Sequence, residues 1–579
     1  MTTIRVALAQ LNVTVGDLAG NQAAIAKAFQ QAREVGAELV ACPELAVTGY
    51  PPEDLLLKPQ FVTDNLAVLR RVVRQTRGLL TIIGFVDRDA HGRLYNAAAV
   101  AANGRVLGVY RKLCLPNYGV FDERRYFTPG RQLCVIEWPR QGARRHVLRI
   151  GLTICEDLWE TWPTTALVRQ GRIGALLNIS ASPYHAGKLQ ERLTLIRRQA
   201  TAHRISAAYL NLVGGQDELV FDGGSVVLDA RGRLLAQGRQ YDTDLLVVDL
   251  PVEERPSSTR RRQAADSALS VQRLVVPMWE RQPLLALQPA SVRAPLEPLA
   301  EMYAALVLGT RDYTRKNGFT HTVVGLSGGV DSSLTAAIAV DALGREHVSG
   351  VSMPSRYSSS GTQRDAEQVA RALGIRLLTI SIEPVFGRYL ETLAALFKGR
   401  PTDVAEQNIQ ARIRGTLLMA LANKFGWLVL TTGNKSEMAT GYCTLYGDMA
   451  GGFAVIKDVP KQLVYQLSRF RNQHGPGAPI PESVLRRVPT AELAPNQTDQ
   501  DTLPPYDVLD RLVEAYVEQN RSARQLVRQG ITAATVRRVI RMIDRAEYKR
   551  RQGPPGIKIT PRAFGKDRRM PITNRYQER

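Results

Sequence analysis

Three residues in the first half of the chain bring together the group types that amide cleavage needs. Cys155 lies in LRIGLTICEDLWE, at the end of an apolar strand pattern just before a helical one. Glu44 lies in LVACPELAVTGYPPEDLL and Lys112 in VYRKLCLPNYGVFDERRYF, each just past a strand pattern. Cys155 would attack an amide carbonyl, its sulfur exposed at a strand-to-helix turn with amide donors nearby. Glu44 would accept the thiol proton and return it to the leaving ammonia. Lys112 would stabilise the oxyanion and depress the thiol pKa. Each residue also has an ordinary structural role: a strand-end cysteine is most often a small buried hydrophobe, as expected for Cys42, Cys114 and Cys134. A Cys–His pair using His185 or His203 is a rival reading.

The second half carries a phosphate-type loop. In HTVVGLSGGVDSSLTAAIAV an apolar strand (Val323, Val324, Gly325, Leu326) runs into Ser327-Gly328-Gly329-Val330-Asp331-Ser332-Ser333 and then a helix. The two glycines let backbone amides approach a phosphate, the serines add hydroxyl donors, and the helix start adds a positive dipole end. No Lys follows, so this is not a Walker A loop. Asp331 suits a Mg²⁺ held against a phosphate, and Glu437 could complete that metal site. LVLTTGNKSEMATGYCTLYGD places Thr431, Thr432 and Asn434 at the carboxyl end of a strand, where open α/β sheets bind ligands. QNIQARIRG puts Asn408, Arg412 and Gly415 on one helix face. MPSRYSSSGTQRDAEQVARALG reads as a hydroxyl-rich helix cap, the helix starting near Thr362.

These residues need elements to hold them. The first half predicts strands at 3–10, 37–42, 79–86, 95–102, 148–154, 174–179, 207–213, 224–230 and 244–249, with helices at 21–35, 62–76 and 188–203. Some strands alternate and others are apolar throughout, which suits a mixed sheet with one helix-covered face. PVEERPSSTRRRQ then reads as a polar, basic linker. Beyond it, helices 296–316, 332–343 and 362–374 alternate with strands 321–326, 348–353 and 376–381. That order predicts a doubly wound parallel sheet. Helices at 403–424, 506–518 and 532–548 follow, then a basic tail rich in Pro and Gly.

Composition narrows the class. The 579 residues are 44% hydrophobic and 22% charged, an ordinary globular balance that argues against disorder. Five cysteines without a CxxC pair exclude a disulfide scaffold and a zinc ribbon. Neither a signal peptide nor an apolar run of ~20 residues is present, so a soluble cytoplasmic protein without a membrane partner is expected. The net charge of +22 suggests an anionic partner. Aromatics are only 6%, and no RNA-binding motif interleaves the basic residues, so a nucleic acid is not expected.

Family resemblance adds to this reading. SGGVDSS resembles the pyrophosphate loop of ATP pyrophosphatases. Together with PSRYSSSGTQRDA, NIQARIRG, TGNKSEMATGYCTLYGDMAGG and PTAELAPNQTDQDTLPPYD, it resembles the ammonia-using domain of NAD⁺ synthetases. That resemblance implies ATP contacts from Gly325, Leu326, Ser327, Gly328, Gly329, Val330, Asp331, Ser332 and Thr432. It implies deamido-NAD⁺ contacts from Asn408, Glu437 and Lys549, with Arg550, Arg551, Lys558 and Lys566 as competitors for the last role. The ordered Glu44–Lys112–Cys155 set resembles the nitrilase (carbon–nitrogen hydrolase) superfamily. Its glutaminase members imply Tyr118, Ser182 and Lys188 as glutamine contacts, with Arg192 a rival for Lys188 and Glu156 a helper or a helix cap. The implied architecture is a nitrilase-type α-β-β-α sandwich over 1–250, a linker over 251–294, a Rossmann-like ATP-pyrophosphatase domain over 295–548 and a basic tail over 549–579. The combination resembles the glutamine-dependent NAD⁺ synthetases, which implies ATP and Mg²⁺, glutamine and deamido-NAD⁺ as substrates, free ammonia as an alternative donor, ammonia channelling and a homo-oligomer, often an octamer. Rival readings are a GMP-synthetase-like amidotransferase, a tRNA-modifying ligase, and an amidase with an appended regulatory domain.

Overall fold

The structure is a computed structural model that describes residues 2–140, 146–253, 269–278 and 292–576. The chain forms two compact units. One comprises Met1–Gln216 and Phe221–Leu296, the other Asp217–Val220 and Glu297–Arg579.

The first part of the chain runs β1 (Thr2–Gln10), α1 (Leu18–Glu34), β2 (Leu39–Ala41), α2 (Pro59–Val73), β3 (Leu80–Arg88), β4 (Leu94–Ala102), β5 (Arg105–Arg111), β6 (Gln132–Arg140) and β7 (His146–Ile154). After it come the short helices α3 (Glu156–Trp159) and α4 (Thr161–Ala166), then β8 (Ala175–Ser180), α5 (Lys188–His203) and β9 (Ser206–Asn211). The strands β10 (Val213–Gln216), β11 (Leu219–Asp222), β12 (Val226–Leu228), β13 (Leu234–Gln237), β14 (Asp244–Val252) and β15 (Ser270–Val275) complete it.

Apart from the separate β10–β11 pair, these strands build two sheets and not one. Their orders are β14-β1-β2-β3-β4-β5 and β13-β12-β9-β8-β7-β6-β15. Both mix parallel pairs (β1 with β2, β7 with β8) and antiparallel ones (β1 with β14, β6 with β7). One continuous core joins their facing sides: Ile4, Val6, Leu8, Leu80 and Ile82 pack with Leu133, Ile150, Leu152 and Leu177. Helices α1 and α2 lie on the first sheet and α5 on the second. This is the α-β-β-α sandwich implied by resemblance. The single mixed sheet expected from strand patterns alone is corrected, because alternation reports which face is buried and not how many sheets share that face. Truncating a residue such as Leu152, fully buried at the centre, should cost about 2–5 kcal/mol.

The expected linker over 251–294 also needs correction. Part of it, β15, pairs in parallel with β6, from Ser270 opposite Gln132 to Val275 opposite Glu137. Most of PVEERPSSTRRRQ lies outside the described residues.

The second unit runs α6 (Pro298–Lys316), β16 (Thr322–Gly325), α7 (Val330–Leu343), β17 (Val348–Ser352), α8 (Ser360–Leu373), β18 (Arg376–Thr379), α9 (Glu383–Leu393), α10 (Val404–Phe425), β19 (Leu428–Thr431), α11 (Lys435–Thr440), β20 (Phe453–Ala454) and α12 (Lys461–His474). Its five strands are all parallel, in the order β18-β17-β16-β19-β20. The order reverses between β16 and β19, so the loops after those two strands open at the switch point where such sheets bind ligands. Helix α10 starts with a capping box in which Asp403 accepts from the backbone and Glu406 reaches back to the N-cap amide. The expected helix over 506–518 is α-helical over Tyr506–Val513 and changes winding at Glu514–Glu518. The basic tail expected over 549–579 packs within this unit, where Ile557, Lys558, Ile559, Phe564 and Arg568 are buried.

Candidate active sites

In the first unit, Glu44 follows β2 and Lys112 follows β5. A Cβ at Gly84 in β3 would lie 2.1 Å from the Pro43 carbonyl, so glycine there lets the Glu44 turn settle onto the sheet. Glu44 Oε1 accepts from Lys112 Nζ at 2.7 Å and from Asn96 Nδ2 at 2.7 Å, and its Oε2 accepts from the Ala181 amide at 2.8 Å. Both side chains are fully buried. Lys112 Nζ also donates to both oxygens of Glu123, at 2.8 and 3.0 Å. Burial alone would lower the Lys112 pKa; the Glu123 and Glu44 carboxylates outweigh it and hold the ammonium well above its ordinary value.

Cys155 ends β7 and caps α3 with φ +43°. A non-glycine residue there is strained, and strain of this kind collects at functional turns. Its side chain is 3% exposed, within the core between the sheets. The expected exposed sulfur is therefore corrected, since Cys155 sits beneath the sandwich surface. Burial and Glu44 raise the thiol pKa well above normal; Lys112 pulls it down, as expected, but does not win. Glu44 acts on the thiol from nearby, whereas His203 bonds to Thr165 and His185 to the Ala186 carbonyl.

The structure also places the residues expected to bind glutamine. Tyr118, 58% exposed, donates to both oxygens of Glu156, the residue after Cys155, at 3.1 and 3.0 Å. The Ser182 amide donates to Asn211 Oδ1 at 2.9 Å. Lys188 opens α5, lies 4.1 Å over the Trp159 ring and donates to Glu191 at 2.9 Å. Its rival Arg192 is buried and committed to Asp222. Sequence reasoning missed Glu123: in the charged run FDERRYF it reads as surface, yet it is buried against Lys112, with burial raising its pKa and Lys112 opposing.

In the second unit, the loop after β16 has the form read from the sequence. Gly328 takes φ +82°, and a Cβ there would lie 2.0 Å from the Thr362 carbonyl. Ser332 and Ser333 hydroxyls donate to the Gly329 carbonyl at 3.1 and 2.8 Å, and the Gly329 amide donates to Ser327 Oγ at 3.2 Å. Gly325 ends β16, Leu326 and Val330 are buried beneath the loop, and Thr432 follows β19, the neighbouring strand. Ser359 caps α8 by accepting from the Thr362 amide, as its hydroxyl-rich segment predicts.

Asp331 accepts from Asn434 Nδ2 at 2.9 Å and from Lys461 Nζ, which also lies 3.7 Å from Glu437. Burial and Asp331 push the Glu437 pKa above its ordinary range. Two carboxylates that repel each other thus share one ammonium. That donor set fits a hard divalent cation completed by substrate phosphates, with Lys461 as the stand-in cation. Among the described residues, no group of three or more His, Cys, Asp or Glu side chains is placed to hold a metal. Lys461 was not singled out from sequence; its signal was a Lys directly after Pro460 at a helix start.

The face read from QNIQARIRG packs on a single turn. Asn408 Oδ1 accepts from Thr444 Oγ1 at 2.8 Å, Arg412 Nε donates to the Leu445 carbonyl at 3.3 Å, and a Cβ at Gly415 would lie 2.7 Å from the Gly447 carbonyl. Lys549 Nζ grips the same turn through the Gly441 and Cys443 carbonyls, both at 2.7 Å.

The chain therefore joins a carbon–nitrogen hydrolase unit, matching that family over residues 5–257, to an NAD synthase unit, matching over 302–553. It is similar to the glutamine-dependent NAD(+) synthetase of Thermotoga maritima (48% identity, 100% of both chains) and to that of Aquifex aeolicus (43% identity, 99% of this chain and 100% of the relative). The solved structure of a glutamine-dependent NAD⁺ synthetase from Acinetobacter baumannii superimposes with TM-score 0.73 at 39% identity, covering 99% of each chain. The chain belongs to the glutamine-dependent NAD⁺ synthetases and is an ATP-dependent ligase.

Proposed function

We propose that Glu44, Lys112 and Cys155 hydrolyse glutamine and that the second unit spends the ammonia on AMP-activated deamido-NAD⁺. The observation that carries this reading is the buried Lys112–Glu44 pair at 2.7 Å beside a strained cysteine turn. Glu44 takes the Cys155 proton as the sulfur attacks the glutamine carboxamide. Lys112 holds the oxyanion, and the proton returns to nitrogen as NH₃ leaves. Water then cleaves the thioester to glutamate. Tyr118, Ser182 and Lys188 line the approach, Lys188 meeting the substrate carboxylate as a point charge. Among the described residues, Glu44, Glu123 and Asp157 each accept from several donors, while Glu156 accepts from Tyr118. Glu156 thus has acceptor capacity left for the α-ammonium of glutamine.

In the second unit, the amides and hydroxyls of Gly325–Ser332, with Thr432, suit the ATP phosphates and the strand end beside them. The deamido-NAD⁺ carboxylate attacks the α-phosphorus and PPi leaves; ammonia then displaces AMP to give NAD⁺. Asp331 and Glu437 would hold Mg²⁺, which would neutralise charge on the phosphates when bound. Asn408, Glu437 and Lys549 are assigned to deamido-NAD⁺, supported by the shared turn that Asn408 and Lys549 brace.

The test uses purified full-length protein with ATP, Mg²⁺, deamido-NAD⁺ and either glutamine or ammonium. Cys155→Ala should lose the glutamine reaction and keep the ammonium reaction. A Cys155→Ala protein that still uses glutamine would remove Cys155 as nucleophile, and ADP in place of AMP would remove the pyrophosphate-loop assignment.

A further inference from the structure

The groups assigned to glutamine hydrolysis come from opposite sheets. Glu44 and Lys112 follow β2 and β5 in one, and Cys155 follows β7 in the other. Packed sheets lie about 10 Å apart, and hydrogen-bond ladders fix neighbours within a sheet, not one sheet on another. Buried carboxylates bridge them here: Glu44, through the Ala181 amide after β8, and Asp157. Asp157 Oδ1 accepts from the amides of Leu113 (3.0 Å) and Cys114 (2.8 Å), the two residues after Lys112. Its Oδ2 accepts from the amide of Ile154 (3.0 Å), the residue before Cys155, and from Tyr110 Oη (2.7 Å). The carboxylate is fully buried, and none of these four donors is a cation.

We propose that Asp157 is a positioning residue for glutamine hydrolysis: its two oxygens staple the Lys112 turn to the Cys155 turn across the sandwich and so set the ammonium-to-sulfur geometry. The proposal rests on the assignment of Lys112 and Cys155 above. Asp157 touches neither substrate nor the reacting atoms; it acts through backbone amides on both sides. Oδ1 serves only the turn after Lys112, whereas Oδ2 joins the Ile154 amide of β7 to the Tyr110 hydroxyl of β5, so the carboxylate is not interchangeable with a single acceptor. Asp157→Asn keeps the shape but replaces one acceptor by an NH₂ group. Whichever way the amide turns, one side of the staple then meets donor against donor. A displacement of about 1 Å at such a site costs roughly 100-fold in rate.

The experiment compares full-length wild type, Asp157→Asn, Asp157→Glu and Tyr110→Phe. The readouts are NAD⁺ formation with glutamine, NAD⁺ formation with ammonium, and the pH profile of Cys155 alkylation by iodoacetamide. Asp157→Asn should lower the glutamine kcat by roughly 100-fold while the glutamine KM stays within about threefold. The ammonium reaction should be unchanged, and the alkylation profile should move to higher pH as Lys112 withdraws from the sulfur. Asp157→Glu, with both acceptors restored on a longer arm, should recover about tenfold of the loss. Tyr110→Phe, which keeps every backbone bond, should stay within about threefold of wild type. Should Asp157→Asn fail to fold, Asp157→Glu alone must still show a kcat loss with KM and the ammonium reaction held. A wild-type kcat in Asp157→Asn overturns the proposal, and so does equal loss of both reactions with the alkylation profile unmoved. Failure of the underlying Cys155 assignment looks different: wild type would not form NAD⁺ from glutamine, or Cys155→Ala would.

Discussion

At the scale of single residues, the glutaminase site is governed by charges that oppose one another in a dry interior. Burial and Glu44 both push the Cys155 thiol pKa up, and Lys112 pulls it down. The sign of each charge change follows. Glu44→Gln removes a negative charge that disfavours the thiolate, so alkylation of Cys155 by iodoacetamide should move to lower pH. The same variant has no base for the attack, and its glutamine-dependent kcat should fall by a factor of about 10²–10⁴. A more reactive cysteine in a less active enzyme is the expected signature; alkylation shifting to higher pH would mean that Glu44 does not face the sulfur. Residue types and neighbourhoods marked Glu44, Lys112 and Cys155 as candidates in the sequence. Glu123 and Lys461 were not, because a carboxylate within a charged run and a Lys at a helix start both read as surface, and only the fold shows that each has an oppositely charged partner.

At the scale of elements, the β16–loop–α7 unit was legible because its glycines have no other use. Gly328 adopts a left-handed conformation and presses against the Thr362 carbonyl, so a side chain is excluded twice over. Gly328→Ala should therefore reduce NAD⁺ formation from glutamine and from ammonium equally, by roughly 100-fold for a displaced loop. Glutamate release from glutamine, measured without ATP, should persist, since that chemistry belongs to the other unit. Several elements that escaped sequence reading have weak periodicity. β5 is a half-exposed edge strand, β15 sits within a stretch read as linker, and α12 is so polar that its buried stripe (Val464, Leu467, Arg471) is interrupted by charge. Short strands such as β2 and β19, by contrast, are wholly buried and apolar and were visible at once.

At the scale of the molecule, the charge of +22 and its concentration at the C-terminal end first suggested an anionic ligand. Many of those terminal cations are committed within the second unit. Lys558 pairs with Asp567, Arg568 with Asp544, and Arg550 with Glu547. Thr560 closes a buried network: its amide and hydroxyl donate to Asp458, and its hydroxyl accepts from Lys435, which also pairs with Glu518. Lys435 lies beside Asn434, the partner of Asp331, so the end of the chain supports the loop after β19. A protein ending at residue 555 would lose the buried Ile557 and Ile559 and leave Lys435 and Asp458 short of partners. An unsatisfied buried polar group costs about 1–3 kcal/mol, and each lost aliphatic side chain about 2–5 kcal/mol. Truncation should accordingly abolish the ammonium-dependent reaction and lower the unfolding temperature of the second unit. The first unit has its own core and should keep its Cys155 alkylation rate. The single variant Thr560→Val, which removes only the hydroxyl, should show a smaller loss of stability in the same unit. If the truncated protein instead keeps full ammonium activity and only its salt dependence changes, the chain end serves as a charge reservoir for the polyanionic substrates, not as part of the wall of their site.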